Sequence, residues 1–251
     1  MSCSRRSVVA IALAVAAAAC GAEGSTANAP ADEVTVFAAS SLRDAFTAIG
    51  RRFEAEQGVS AAFNFLSSSD LASQIEQGAR ADVFASADEA NMQRVIDSGY
   101  REAEPVVFAR NTLEIVIPAG NPAGIRRLED LEDDDLVISI CNDECPAGAY
   151  AREIFDKAGV RVQADSLETE VKGVVTRVAI GEADAGIVYK TDVEAAENDV
   201  EGIEIPADIN VVAEYPIAAL RNDLAVATGF VDYVLSDEGR TVLREHGFLV
   251  E

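Results

Sequence analysis

Phe65-Leu66-Ser67-Ser68-Ser69-Asp70-Leu71-Ala72-Ser73-Gln74-Ile75-Glu76-Gln77-Gly78 decides the fold, because it reads as a strand end, a serine turn and a helix that stops at glycine. The first N–H groups of a helix lack an intrahelical acceptor and carry the positive end of the macrodipole. A strand running into such a turn therefore makes an anion-binding geometry. Ser67, Ser68 and Ser69 add hydroxyls that cap or donate. The same plan occurs upstream in Thr35–Leu42, where a β-rich run meets Ser40 and Ser41, and Leu42, Phe46, Ile49 and Phe53 then mark one apolar helix face. Two such turns can converge on one oxyanion.

The alternation continues on both sides. Ser60–Phe65 forms a strand ahead of the serine turn, and Ala81–Asp88 a further one, with Asp88 capping a helix that carries Met92, Val95 and Ile96 and ends near Gly99. Strands alternating with helices imply right-handed crossovers and an α/β fold with mainly parallel sheets. Val106–Ala109 and Thr112–Ile117 are strands flanking Arg110 and Asn111, the expected first crossing between two lobes. Pro118–Pro122 is a loop, and the acidic run Glu129–Asp135 is a solvated loop before the strand Leu136–Ile140. Cys141–Gly148 then repeats the strand, turn and helix plan, with Pro146 at the helix entry and Tyr150, Ile154 and Phe155 following. Thr169–Gly173 opens another helix bearing Val174, Val175 and Val178, and Ala185–Tyr189 is a buried strand ending in a phenol. The chain returns through Val211–Leu220, and helices after Asn222 close the first lobe. The expected division is lobe 1 from residues 34–109 plus 216–251 and lobe 2 from residues 110–215.

A length of 251 residues at 49% hydrophobic content supports sizeable cores and excludes a disordered chain. The net charge of −24 argues against nucleic-acid or anionic-membrane partners, which require a basic face. It also opposes an anionic ligand at long range. An oxyanion site in this chain must work through local dipoles in a partly desolvated cleft, with distant charges screened beyond roughly 8 Å. Most of the acidity is read as a solvated surface.

Arg5 and Arg6 precede the apolar run Val8–Ala19, so residues 1–19 form a signal peptide. Its small residues end immediately before Cys20, a pattern that resembles a bacterial lipobox and makes Cys20 the expected lipidated first residue of the mature chain. Residues 20–33 are then a flexible, lipid-anchored tether. Cys141 and Cys145 are the cysteines left for the fold. An exported chain meets an oxidising compartment, and a three-residue spacer that turns brings two Cα atoms within the reach of roughly 4.4 to 6.8 Å that a disulfide needs. The other reading, a metal site, would need further soft ligands, and the sole histidine, His246, lies far along the chain.

The motifs TVFAASSL (Thr35–Leu42), FLSSSDLASQIEQGARADVFASAD (Phe65–Asp88), PAGAYA (Pro146–Ala151) and GIVY (Gly186–Tyr189) resemble those of the molybdate-binding proteins of ABC import systems, in the family's order and over nearly all of the mature chain. The resemblance implies a two-lobed periplasmic binding protein fold of type II with the ligand between the lobes. It implies molybdate or tungstate as ligand, no cofactor, a monomer, and a membrane permease as partner. Carried over by motif, the family's ligand contacts fall on Ser41, Ser68, Ala147, Val171 and Tyr189, all uncharged donors through hydroxyl or backbone N–H. Thr169 and Lys172 follow the family pattern only loosely around Val171, and Asp70 is a departure expected to point outward.

Each residue also has a plainer reading: helix capping for Ser41 and Ser68, and a core position for Tyr189. Among ligands, sulfate or phosphate is the alternative. A lipid-anchored serine hydrolase fits poorly, since there is no G-x-S-x-G elbow and His246 is the one imidazole.

Overall fold

The order of strand-forming and helix-forming stretches produces nine strands and eight α-helices among the described residues, which are 33–100, 104–221 and 225–250 of this computed structural model. The signal segment, Cys20 and all of the tether but Glu33 lie outside them. The chain runs β1 (Glu33–Ala39), α1 (Arg43–Gln57), β2 (Ser60–Leu66), α2 (Ser68–Glu76), β3 (Val83–Ala85) and α3 (Glu89–Asp97). It continues through β4 (Val106–Pro118), β5 (Ile138–Cys141), α4 (Pro146–Ala158), β6 (Ser166–Glu168), α5 (Val171–Ala179), β7 (Ala185–Tyr189) and α6 (Lys190–Ala196). β8 (Val200–Glu204), β9 (Val212–Ala219), α7 (Ala225–Leu235) and α8 (Asp237–Glu245) complete it. A 3-10 turn, Ser40–Leu42, joins β1 to α1.

The strands form one sheet in the order β2-β1-β3-β9-β4-β7-β5-β6, with β8 also on β4. The pairings of β1 with β2 and β3, and of β5 with β6 and β7, are parallel, as crossover connections require. The sheet as a whole is mixed rather than mainly parallel. β9 is antiparallel to β3 and β4, and β4 is antiparallel to β7 and β8. The reason is that β4 carries the chain out of one half of the sheet and β9 brings it back, so each meets its neighbours head to tail.

β4 is also one strand where two are expected. Its N-terminal part, Val106–Thr112, pairs with β9, and its C-terminal part, Leu113–Pro118, pairs with β7 and β8, so Arg110 and Asn111 sit within the ladder at the junction of the halves. The ladder's irregularity falls between Val107 and Ala109 instead, beside Pro216, which has no N–H to give. β6, β8 and α6 are short and partly polar, and hydrophobic periodicity does not reveal them. The stretch Glu129–Asp135 is not wholly a solvated loop, because its first half belongs to a 3-10 helix, Leu128–Glu132, whose Leu128 and Leu131 are buried.

From the 3-10 turn into α1 the apolar spacing places Leu42, Phe46, Ile49 and Phe53 in the core, each at most 2% exposed. Gly58 ends the helix in a left-handed conformation, its N–H bonded to Glu54 O. Phe46 meets Phe108 and Phe230 edge-on or tilted, at centroid separations of 5.6 and 6.0 Å, so α7 closes over the same core as α1. Burial of each such ring stabilises by about 1.5–3 kcal/mol.

Register then positions the site. Ala39 pairs with Leu66 and Ala38 with Ala85, so β1, β2 and β3 end at one level and the chain leaves them side by side. β5, β6 and β7 do the same in the other half, with Cys141 opposite Glu168 and Ser139 opposite Gly186. Ligands of open α/β sheets bind outside such carboxyl ends.

Candidate oxyanion-binding site

Six turns and strand ends surround one small cavity. One half of the sheet contributes Ser41 and Ser68 to its lining, and the other contributes Ala147, Val171 and Tyr189. All five residues predicted as ligand contacts therefore line it together. Ala87, which follows β3, lines it too, and sequence reasoning did not single it out.

Helix capping does not account for the two serines. Ser67 is the residue that caps α2: its hydroxyl oxygen accepts from Asp70 N at 3.2 Å and its proton goes to Asp70 Oδ2 at 2.9 Å. With that proton used, the 3.0 Å contact between Ser67 and Ser69 has Ser69 as donor. Ser68 is the first helical residue, and its Oγ accepts from Ala87 N at 2.9 Å, which leaves the Ser68 O–H free to donate. Ser41 lies within the 3-10 turn, caps nothing, and pairs through Oγ with Tyr215 OH at 3.1 Å. Asp70 is exposed, as expected.

Two helix starts face them. In α4, Cys145 is the cap position and Pro146 the first residue, so Ala147 offers the first available N–H of the helix interior. A Cβ on Gly148 would overlap the carbonyl oxygens of Cys141 and Asn142, so only glycine lets the turn fold back this tightly. Cys141 and Cys145 are disulfide-bonded across that turn, with Cα atoms 5.8 Å apart. In α5, Glu170 is the cap position and Val171 the first residue.

Tyr189 closes the floor. Its side chain is 1% exposed and its hydroxyl has no hydrogen-bond partner among the described residues. Burial pushes its pKa well above the usual phenol value, so the group stays protonated and is available as a donor. Tyr215 is raised for the same reason. Neither Tyr215, which orients Ser41, nor Asn111, whose Nδ2 donates to Thr191 Oγ1 at 2.8 Å beneath the site, carried a signal in the sequence beyond its place at a crossing.

Three residues after Tyr189, Asp192 is fully buried and both its oxygens lack hydrogen bonds, although Lys172 Nζ stands 3.3 Å from Oδ1. Burial raises its pKa to about 6, with Lys172 opposing the rise. Among the described residues no cluster of His, Cys, Asp and Glu is suited to a metal ion. The cavity's own donors are neutral hydroxyls and helix-start N–H groups, a set that stabilises a small anion by dipoles.

Residues 34–249 match the family described as bacterial extracellular solute-binding proteins. The chain is 41% identical to the molybdate-binding protein ModA of Mycobacterium tuberculosis, covering 92% of this chain and 91% of that one. To the ModA of Escherichia coli it is 32% identical, covering 89% and 92%. The solved periplasmic molybdate-binding protein of Azotobacter vinelandii superposes with a TM-score of 0.75 at 18% identity, covering 87% of this chain and 99% of that one, which gives the fold. On the family match and the sequence identities together, this chain belongs to the bacterial extracellular solute-binding proteins, with their type II periplasmic binding protein fold.

Proposed function

We propose that the protein captures molybdate, and tungstate with it, and delivers the anion to the membrane permease of an ABC importer, acting as a monomer without a cofactor. The observation that carries this reading is the Tyr189 phenol, a fully buried donor without a partner, aimed with Ser41, Ser68, Ala147 and Val171 at one cavity. A buried hydroxyl left unpaired costs about 1–3 kcal/mol, and a tetrahedral dianion supplies the acceptors that remove that cost. The molybdate-binding relatives support the choice of anion. Residues 34–109 with 216–251, and residues 110–215, act as two lobes that close on the ligand about β4 and β9. The chain is held to the membrane through a lipid on Cys20.

A hydrolase is disfavoured by the pairing of its candidate nucleophile. Ser41 and His246 border a common surface recess, but the hydroxyl of Ser41 pairs with Tyr215 OH at 3.1 Å and not with the imidazole. No helix among the described residues is long and apolar enough to cross a membrane.

The test is a thermal melt of ligand-stripped protein lacking residues 1–19 against molybdate, tungstate, sulfate and phosphate, with calorimetry for stoichiometry. A ligand at about 100 times its Kd adds about 2.7 kcal/mol of stability. Molybdate and tungstate should give the large shifts, because the cavity must fit their longer metal–oxygen bonds. A largest shift with sulfate or phosphate reassigns the ligand, and no shift with any of the four removes the oxyanion reading. Retention of a Cys20→Ser protein in washed membranes would exclude the lipid anchor.

A further inference from the structure

Three charged side chains adjoin the residues that line the cavity, and one of them, Asp44, borders the surface recess next to it. Lys172 Nζ lies 3.0 Å from Asp44 Oδ2 and 3.3 Å from Asp192 Oδ1. Each of the three is a close chain neighbour of a cavity-lining residue: Asp44 follows Ser41 by one helical turn, Lys172 is next to Val171, and Asp192 is three residues beyond Tyr189. The row also spans the molecule. Asp44 belongs to α1, which packs on the half of the sheet containing β1 and β2, whereas Lys172 and Asp192 belong to α5 and α6 on the other half. α5 itself packs against the Ser40–Leu42 turn.

The arrangement is poor as a simple source of stability. Asp192 is completely buried with neither oxygen hydrogen-bonded, and a buried ion pair of that kind is often no better than packed apolar side chains. It is also poor as an attractor of anions, since two carboxylates surround one ammonium and none of the three lines the cavity. What the row does supply is direction. Lys172 is about three-quarters buried, and its ammonium is held between the buried Asp192 carboxylate on one side and Asp44 on the other.

We propose that Lys172 is a positioning residue that bridges Asp192 to Asp44, clasping the two halves of the sheet together over the bound oxyanion and thereby setting how long the anion stays. The inference rests on the oxyanion reading of the cavity given above. A contact that forms only when the halves are together slows their separation, so its loss appears in koff and leaves kon nearly unchanged. A steering charge would do the reverse, and its effect would fade with salt.

Stopped-flow measurement of tungstate and molybdate binding, using tryptophan-free protein labelled at an exposed surface site remote from the cleft, separates the two rates. Asp44→Asn is the informative variant, because it cuts the link across the halves and leaves the buried Lys172–Asp192 pair intact. Its koff should rise about three- to fivefold, as fits a pair half exposed at Asp44, with kon within about a factor of two and the melting temperature of the ligand-free protein unchanged. Lys172→Arg should keep most of the slow release, and Lys172→Met should add little once Asp44 is already Asn. An unchanged koff in Asp44→Asn overturns the clasp, as does a loss confined to kon that disappears at high salt. If the unaltered protein binds neither anion, it is the oxyanion reading that fails, and the two failures are thus told apart.

Discussion

Tyr189 on β7 and Tyr215 on β9 stand edge to face with ring centroids 5.7 Å apart, yet only Tyr215 has its hydroxyl paired, with Ser41 Oγ at 3.1 Å. The two phenols share one burial and differ in one hydrogen bond. That difference separates a group that holds the site in shape from a group left to meet what enters it.

Tyr189→Phe should therefore weaken molybdate binding by about 1.5–3 kcal/mol, the range for a hydrogen bond to a charged partner. The ligand-free protein should lose no stability, because the deleted hydroxyl has no partner to leave behind. Isothermal calorimetry and urea unfolding check the two halves of this expectation. Unchanged affinity would move the phenol out of the site.

Ser67→Ala and Ser68→Ala should diverge although the residues are adjacent. Ser67 caps α2, so its loss should cost about 1 kcal/mol of stability with little change in binding. Ser68→Ala should lower affinity, and it should also cost about 1–3 kcal/mol of stability because Ala87 N loses its acceptor inside the protein. Equal effects on binding from the two variants would show that the hydroxyl of Ser68 does not reach the ligand.

Reduction of the Cys141–Cys145 disulfide should weaken anion binding more than it lowers global stability. The closed loop is short, so its entropic contribution is about 2 kcal/mol, whereas the bond directly fixes the turn that presents Ala147. Paired melts and titrations of oxidised and reduced protein, with thiols counted by mass spectrometry, give the comparison. A large drop in melting temperature at unchanged affinity would reverse the assignment.

Asp192 should leave a signature in the pH dependence of stability. Its folded pKa, raised to about 6 by burial, lies above the unfolded value of about 3.9. A group shifted in that direction contributes stability that is fully present below the unfolded pKa and is lost as pH rises through the folded one. Between pH 4 and pH 8 the relative stability of Asp192→Asn should thus improve by about 2–3 kcal/mol, at 1.36 kcal/mol for each pKa unit. A difference from the unaltered protein that is the same at both pH values would mean that Asp192 is no harder to ionise folded than unfolded.

Much of this organisation is a property of local sequence. Ser67 with Asp70, Asp88 ahead of α3, Pro146 at the start of α4 and Gly58 after α1 each mark a helix end within a few residues, because caps and breakers act on the backbone groups beside them. The spacing of Leu42, Phe46, Ile49 and Phe53 likewise marks one buried face by itself. Motifs in family order pointed to Ser41, Ser68, Ala147, Val171 and Tyr189, which the fold brings to one cavity. What the sequence left open was decided by strand register and by direction. Only the pairing of Ala39 with Leu66 and of Ala38 with Ala85 brings the serine turns to one level, and only the opposed course of β4 and β9 makes the sheet mixed and sets Tyr215 beneath Ser41. Lys172 and Asp44 are 128 residues apart, and no periodicity links them. Local signals end within a helical turn, whereas such partners are selected by the packing of the whole sheet, where a side chain's neighbours come from strands remote in the chain.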